Sequence, residues 1–201
     1  MKLALVGDIG GTNARFALWR NEQLESVRVL ATADFPGPEA AIQAYLAELE
    51  LPLGAVDSVC LACAGPVSGD LFRFTNNHWR ISRTAFCREL QVRELLLVND
   101  FSAMALGMTR LRDDERLQVC PGTPEDQRPC VVIGPGTGLG VGTLLALADG
   151  SWLALPGEGG HVDLPIGSPR EAELWQQLYR QLGHVRAEDV LSGSGLLLLY
   201  R

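Results

Sequence analysis

Leu3-Ala4-Leu5-Val6-Gly7-Asp8-Ile9-Gly10-Gly11-Thr12-Asn13-Ala14-Arg15 joins an apolar strand, a glycine turn carrying one carboxylate, and the start of a second strand. Such a turn suits phosphate. Gly10 and Gly11 lack a Cβ, so the backbone tolerates φ > 0 and can bring successive N–H groups up to a polyphosphate, with the Thr12 hydroxyl as a further donor. Asp8 stands where a carboxylate can hold Mg²⁺ through water. A Gly-x-x-x-x-Gly-Lys-Ser/Thr loop is absent from the sequence, and a strand rather than a helix follows the glycines. Neither a Walker loop nor a dinucleotide-binding crossover fits this pattern.

The same logic recurs downstream. Val131 to Ile133 predicts a strand, Gly134-Pro135-Gly136-Thr137-Gly138-Leu139-Gly140 a glycine loop, and Val141 to Leu147 a returning strand. Two such hairpins imply two related halves that grip one nucleotide from both sides. Between them, Ser26 to Leu30, Ser58 to Ala62, Phe72 to Thr75 and Glu94 to Val98 predict strands. Pro38 to Leu49 predicts a helix, with Ala41, Ile42, Tyr45, Leu46 and Leu49 on its apolar face. Ser82 to Leu90 predicts a capped helix presenting Phe86 and Leu90, and Asn99-Asp100 caps a third from Phe101 to about Arg110. The charged, proline-bearing stretch Leu111 to Pro129 reads as a boundary, giving domains 1–110 and 111–201. Ser168-Pro169-Arg170-Glu171 is a capping box that opens a helix with Leu174, Trp175, Leu178 and Leu182 on one face, stopped by Gly183. The final run Leu196-Leu197-Leu198-Leu199-Tyr200-Arg201 is apolar without a solvating tail, the expectation being that part of the second unit is missing.

Bulk properties narrow the partners. The 201 residues are 47% hydrophobic and 20% charged, enough for a sizeable core. A formal charge of −7 without a Lys/Arg cluster argues against nucleic acid and for a small-molecule partner. Met1-Lys2 and the short apolar stretch before Asp8 make no signal peptide, and no run approaches a membrane span, so a cytoplasmic, membrane-free protein is expected. Five cysteines, an odd count, fit reduced thiols. Cys60-x-x-Cys63 looks like a redox or metal pair, but positions three apart on a strand point to opposite faces, so both read as buried structural thiols.

Polar clusters at the ends of apolar strands carry the chemistry. Phosphoryl transfer needs phosphate donors, a metal and a base for the attacking hydroxyl. Asp100, at a strand-to-helix corner, is the candidate base, although Asn99-Asp100 also reads as a plain helix cap. Asn99, Glu158 and His161 are planar groups of the kind that bridge adjacent sugar hydroxyls, and Gly159-Gly160 lets the last two aim at one ligand. They also read as ordinary loop polars. Glu188 by itself reads more readily as a solvated charge, and His78 and His184 as structural or surface histidines.

At these residues the chain resembles the bacterial glucokinase family. The resemblance rests on Val6 to Arg15, Phe74-Thr75-Asn76-Asn77-His78-Trp79, Val98-Asn99-Asp100-Phe101, Gly134 to Gly140, Pro156 to Asp163, Gly183-His184-Val185 and Leu191-Ser192-Gly193, and runs along essentially the whole chain. It implies an α/β, actin-like ATPase (ribonuclease H-like) fold of two lobes with the second incomplete, since family members run on by roughly a hundred residues or more. It further implies ATP-dependent phosphorylation of glucose at O6. Gly7, Asp8, Ile9, Gly10, Gly11 and Thr12 would form the first phosphate motif, with Mg²⁺ near Asp8. Gly134 to Gly140, centred on Gly136, Thr137 and Gly138, would form the second. Asp100 would be the base, with Asn99, Asp100, Glu158, His161 and Glu188 binding glucose. Because Val162-Asp163-Leu164-Pro165 lacks cysteine, the structural zinc of the related repressor-and-sugar-kinase family is not expected. A kinase for another hexose and a non-catalytic sugar sensor are the alternatives, and a homodimer stays open.

Overall fold

The structure, a computed structural model, describes residues 3–65, 69–75, 77–123, 125 and 127–200. Met1, Lys2, Asn76 and Arg201, quoted in the readings above, lie outside the described residues, as do Pro124 and Asp126 of the boundary stretch. The chain divides into two units, Met1–Ala103 and Met104–Arg201.

In the first unit, β1 (Ala4–Ile9), β2 (Asn13–Arg20) and β3 (Gln23–Ala31) run antiparallel in succession. β4 (Ser58–Cys63) and β7 (Glu94–Asn99) add parallel to β1, giving the five-stranded order β3-β2-β1-β4-β7. The parallel register aligns Ile9 with Cys63 and Cys63 with Asn99, so the C-terminal ends of three strands finish level, with Asn99 the polar one. That is where ligand sites of α/β sheets gather. A short hairpin of β5 (Leu71–Arg73) and β6 (Arg80–Ser82) stands beside this sheet.

The residues expected on helical faces do pack there. In α1 (Pro38–Glu48), Ala41, Ile42, Tyr45 and Leu46 are buried, and in α2 (Arg83–Leu90) Phe86 and Leu90 are buried, with the Ser82 hydroxyl accepting from the Ala85 N–H at the helix start. They share one core with Leu5, Ile9, Phe16, Val59, Leu61, Leu95, Leu97 and Trp79. The strands alternate, so only one face of the sheet is fully covered: Leu95 and Leu97 are buried while Leu96 between them is exposed. The expected strand Phe72 to Thr75 begins one residue earlier and ends two earlier, because the chain turns after Arg73, where Asn77 Oδ1 accepts the Trp79 N–H at 2.9 Å. Cys60 and Cys63 do point to opposite faces of β4, Cys63 buried and Cys60 half-buried, and both are free thiols.

The second unit centres on a three-stranded antiparallel sheet, β10 (Trp152–Gly157), β9 (Leu139–Ala146) and β8 (Cys130–Pro135). β10 is absent from the sequence reading; its residues are mostly exposed and Pro156 interrupts the pattern, so neither alternation nor a buried run marks it. The glycine loop is narrower than expected, since both strands run into it and leave Gly136, Thr137 and Gly138 as the turn. α3 (Asp100–Met108) spans the division between the units. α4 (Pro169–Leu182) begins at Ser168, whose hydroxyl accepts the Glu171 N–H, and ends at Gly183 with φ 74°. The Glu171 carboxylate caps one residue early, accepting from the Gly167 N–H at 2.7 Å. Of the expected face, Leu178 is buried with Val185 and Val190, whereas Leu174 and Leu182 remain exposed. α5 (Gly193–Tyr200) carries the final apolar run.

Candidate active site

The glycines of the first turn act through close approach. Among the described residues, left-handed glycines are Gly54, Gly65, Gly69, Gly150 and Gly183, and neither Gly10 nor Gly11 is one of them. The expected reliance on φ > 0 is therefore corrected. A Cβ on Gly7 would come within 2.8 Å of Leu61 and 2.9 Å of Phe16, and one on Gly10 within 3.1 Å of the Asn13 carbonyl. The turn is tied down from its carbonyl side. Asn77 Nδ2 donates to the Gly10 carbonyl at 3.0 Å, the Thr32 hydroxyl donates to the Gly11 carbonyl at 2.9 Å, and the Thr32 N–H donates to the Thr12 carbonyl. Gly11 and Thr12 stay exposed while Ile9 is buried in the core. A turn whose carbonyls are engaged elsewhere presents its N–H side, the arrangement an anion needs.

Asp8 is half-exposed and accepts from Arg15 Nη1 at 2.9 Å through Oδ2. The two residues face each other across the β1–β2 ladder, so this pair was legible from the hairpin register. Among the described residues, no group of three or more His, Cys, Asp or Glu is placed to hold a metal ion. A single exposed carboxylate fits Mg²⁺, which keeps several waters and draws its remaining ligands from phosphate.

At the end of β7, Asn99 Oδ1 accepts the Ser102 N–H at 3.0 Å, so the expected cap exists. Asn99 Nδ2 donates to Asp100 Oδ1 at 3.1 Å, and the Phe101 N–H donates to the same oxygen at 2.9 Å. Both bonds land on Oδ1, so among the described residues neither Asn99 nor Phe101 occupies Oδ2. Burial pushes the Asp100 carboxyl above its ordinary value, and the Asp8 charge pushes the same way against the Phe101 and Asn99 hydrogen bonds. A carboxylate raised by burial and fixed through one oxygen has the character of a general base. Cys63, whose sheet partner is Asn99, is driven up to about 12, by burial first and then by Asp100, so it stays an uncharged thiol.

In the second unit, the segments around Val162 to Leu164 and Val185 to Ala187 pair: the Leu164 N–H donates to the Val185 carbonyl at 3.0 Å and the Ala187 N–H to the Val162 carbonyl at 2.9 Å. This pairing brings together residues distant in sequence. His161 Nδ1 lies 3.4 Å from Glu158 Oε2, and His161 Nε2 lies 3.3 Å from Glu188 Oε1. Glu188, read locally as a solvated charge, has a side chain only 19% exposed and pairs with Arg186 at 2.8 Å. Its Oε2 lies over Gly138, where a Cβ would sit 2.7 Å away. Gly160 packs against the Leu139 carbonyl with no room for a side chain, and a Cβ on Gly159 would meet Val141 at 2.8 Å. The loop can therefore turn between Glu158 and His161 only with glycines there. The Gly136 carbonyl accepts the Gly193 N–H at 2.9 Å, and the Gly136 N–H donates to the Gly138 carbonyl at 2.8 Å, fixing the turn with Gly136 and Thr137 exposed. His78 approaches the Phe35 carbonyl and His184 the Asp163 carboxylate, outside these clusters. Arg186 is the residue the sequence reading passed over; its spacing of two and three residues from Glu188 and Asp189 was the available signal.

Known proteins fit this description. The family model described as Glucokinase matches residues 5–201. A glucokinase of Pseudomonas paraeruginosa (strain DSM 24068 / PA7) is 61% identical over 198 residues, covering 98% of this chain and 58% of the relative. A solved glucokinase from an Antarctic psychrotroph superposes with a TM-score of 0.84 at 32% identity, covering 100% of this chain and 63% of that one. A Balamuthia mandrillaris glucokinase solved in complex with glucose matches with a TM-score of 0.74 at 26% identity, covering 99% and 62%. The chain thus spans about three fifths of the length of the relatives it matches. Its fold is that of the actin-like ATPases, as in these sugar kinases. The chain belongs to the glucokinase family.

Proposed function

We propose that the protein containing this chain transfers the γ-phosphoryl group of ATP to O6 of glucose. The observation that carries this reading is the convergence of Glu158, His161 and Glu188 beside the Gly136–Gly138 turn. Carboxylate, imidazole and carboxylate in a row offer alternating acceptors and a donor, which match neighbouring sugar hydroxyls. Asn99 and Asp100, hydrogen-bonded to each other in the first unit, are the glucose ligands that the family resemblance implies there, and the glucose bound in the Balamuthia mandrillaris relative supports the substrate. Residues 1–110 form one lobe and 111–201 belong to the other.

In the reaction, Asp100 Oδ2 takes the proton of the glucose O6 hydroxyl while Oδ1 stays fixed by Asn99 and Phe101. The N–H groups of Gly11 and Thr12 are the phosphate donors of the first unit, and those of Thr137 and Gly138, left over once the Gly136 N–H is taken by the Gly138 carbonyl, are the phosphate donors of the second. Mg²⁺, held by Asp8 through water, would neutralise charge developing on the transferred phosphoryl group.

Calorimetric titration of glucose into the folded chain, beside a panel of other hexoses, tests the reading. Saturable binding selective for glucose is expected, and Glu188→Gln should weaken it about tenfold, the ~1.4 kcal/mol of a lost charge-assisted hydrogen bond. A preference for another hexose, or no glucose binding at millimolar sugar, would overturn it.

A further inference from the structure

The guanidinium of Arg186 meets two carboxylates at once. Nη2 and Nε lie 2.9 Å and 3.3 Å from the two oxygens of Asp189, and the Arg186 N–H donates to Asp189 Oδ2 at 2.8 Å. The Arg186 backbone is also bridged to Asp163 on the neighbouring segment. With its fork and its backbone so anchored, the remaining nitrogen, Nη1, is aimed at Glu188 Oε1 at 2.8 Å. A planar guanidinium fixed in this way loses little freedom when it makes one more bond.

Glu188 needs such a partner. Its Oε1 is the atom His161 approaches, its Oε2 lies over Gly138, and its side chain is four-fifths buried, so a free carboxylate there would be poorly solvated and able to swing. Glu158 and Glu188 bring negative charge to both sides of one imidazole, Asp189 adds a third carboxylate on Arg186, and among the described residues Arg186 is the permanent cation paired within this group.

We propose that Arg186 is a positioning residue of the sugar site: it holds the Glu188 carboxylate beside His161 before sugar arrives, so that Glu188 enters the complex without reorientation. Arg186 itself touches no sugar. The inference rests on the reading of His161 and Glu188 as glucose ligands. Its consequence is that the effect of Arg186 on affinity runs through Glu188, whereas a role confined to stabilising the turn Ala187–Asp189 through Asp189 would not.

A double-mutant cycle read by glucose calorimetry makes the distinction, with Arg186→Gln, Glu188→Gln, the double variant, and Arg186→Lys. Arg186→Gln is expected to weaken glucose about tenfold, and the double variant to bind within about twofold of Glu188→Gln alone, because the second substitution removes an interaction already lost. Arg186→Lys, which can still reach Glu188, should recover most of the affinity. Independent losses that multiply to about a hundredfold in the double variant would overturn the proposal.

The second arm uses no sugar: crystal structures of the sugar-free wild type and Arg186→Gln chains. Glu188 should leave His161 in the variant, and a carboxylate that stays in place refutes positioning whatever the calorimetry gives. A wild-type chain that fails to bind glucose, together with a Glu188 that moves in Arg186→Gln, would instead remove the glucose reading and leave the positioning role standing.

Discussion

Two hairpins of this chain share a plan and differ in their surroundings. β1–β2 and β8–β9 each run apolar strand, glycine turn, apolar strand, and each ties a turn carbonyl to a distant group: Asn77 and Thr32 in the first, the Gly193 N–H in the second. Yet the first buries Leu5, Ile9, Ala14, Phe16 and Leu18 beneath two helices, while in the second Val131 and Ile133 are 61% exposed and Leu144 is the strand leucine that is buried. The turn is thus a local device, set by glycines, ladder register and a few backbone bonds. Burial is a separate property, supplied by whatever covers the strands.

The largest test of that separation is to empty the same kind of position in each hairpin. Phe16 is 1% exposed and packs on the Tyr45 ring with centroids 5.8 Å apart, so Phe16→Ala should cost about 3–5 kcal/mol. Ile133→Ala, on an exposed strand, should fall within about 0.5 kcal/mol of wild type. Urea unfolding, with hydrogen exchange at the amides of each hairpin, reads both. A loss at Ile133 comparable to that at Phe16 would mean that the second hairpin is covered in solution after all.

A smaller effect separates the glycines. Gly7→Ala places a Cβ within 2.8 Å of Leu61 and 2.9 Å of Phe16, an overpacking of about 1–3 kcal/mol. A Cβ on Gly136 meets nothing within 4 Å, and its backbone is not left-handed, so Gly136→Ala should leave stability within about 0.5 kcal/mol. Thermal unfolding of the two variants decides. Equal destabilisation would show that the β1 strand and the second turn are packed to the same tolerance.

The contrast also explains what could be read from residues alone. The first unit was legible almost element by element because its helices alternate in register with a buried face: Ala41, Ile42, Tyr45 and Leu46 lie where the 3.6-residue period put them. In the second unit the period is weaker evidence. β10 has no buried face to impose alternation, and Leu174 and Leu182 share the α4 stripe without being buried. Asn99-Asp100 could be seen as a strand-end pair, and their shared hydrogen bond follows from adjacency. Glu188 could not be placed locally, because its partners come from pairing between segments some twenty residues apart, around Asp163 and Arg186. Its weight in the sequence reading came from family resemblance. Arg186 went unread because a lone arginine in a loop carries no period. The first glycine turn was recognised for the wrong geometric reason: Gly10 and Gly11 are not left-handed, and the close approach that excludes a side chain falls at Gly7 in β1, with a tighter-than-usual fit at Gly10.

The smallest expected effect compares a carboxylate from each unit, and it has opposite signs. Burial raises Asp100, so its charged form is disfavoured in the folded state; its contribution favours folding below the ordinary Asp value and is lost as pH rises through the raised folded value. The Arg186 hydrogen bond lowers Asp189, so its contribution is present above the ordinary Asp value and is lost as pH falls through the lowered folded value. Asp100→Asn should therefore raise the melting temperature relative to wild type more at about pH 7 than at about pH 3, and Asp189→Asn should lower it more at about pH 7 than at about pH 3. Melting curves of the three proteins across that range give the comparison. If Asp100→Asn were as destabilising at neutral pH as Asp189→Asn, the Asp100 carboxylate would be a structural anchor, and the strain expected of a buried base awaiting a proton would be absent. If the two differ in sign as derived, the first unit holds its carboxylate at a cost in stability that the second unit, through Arg186, avoids.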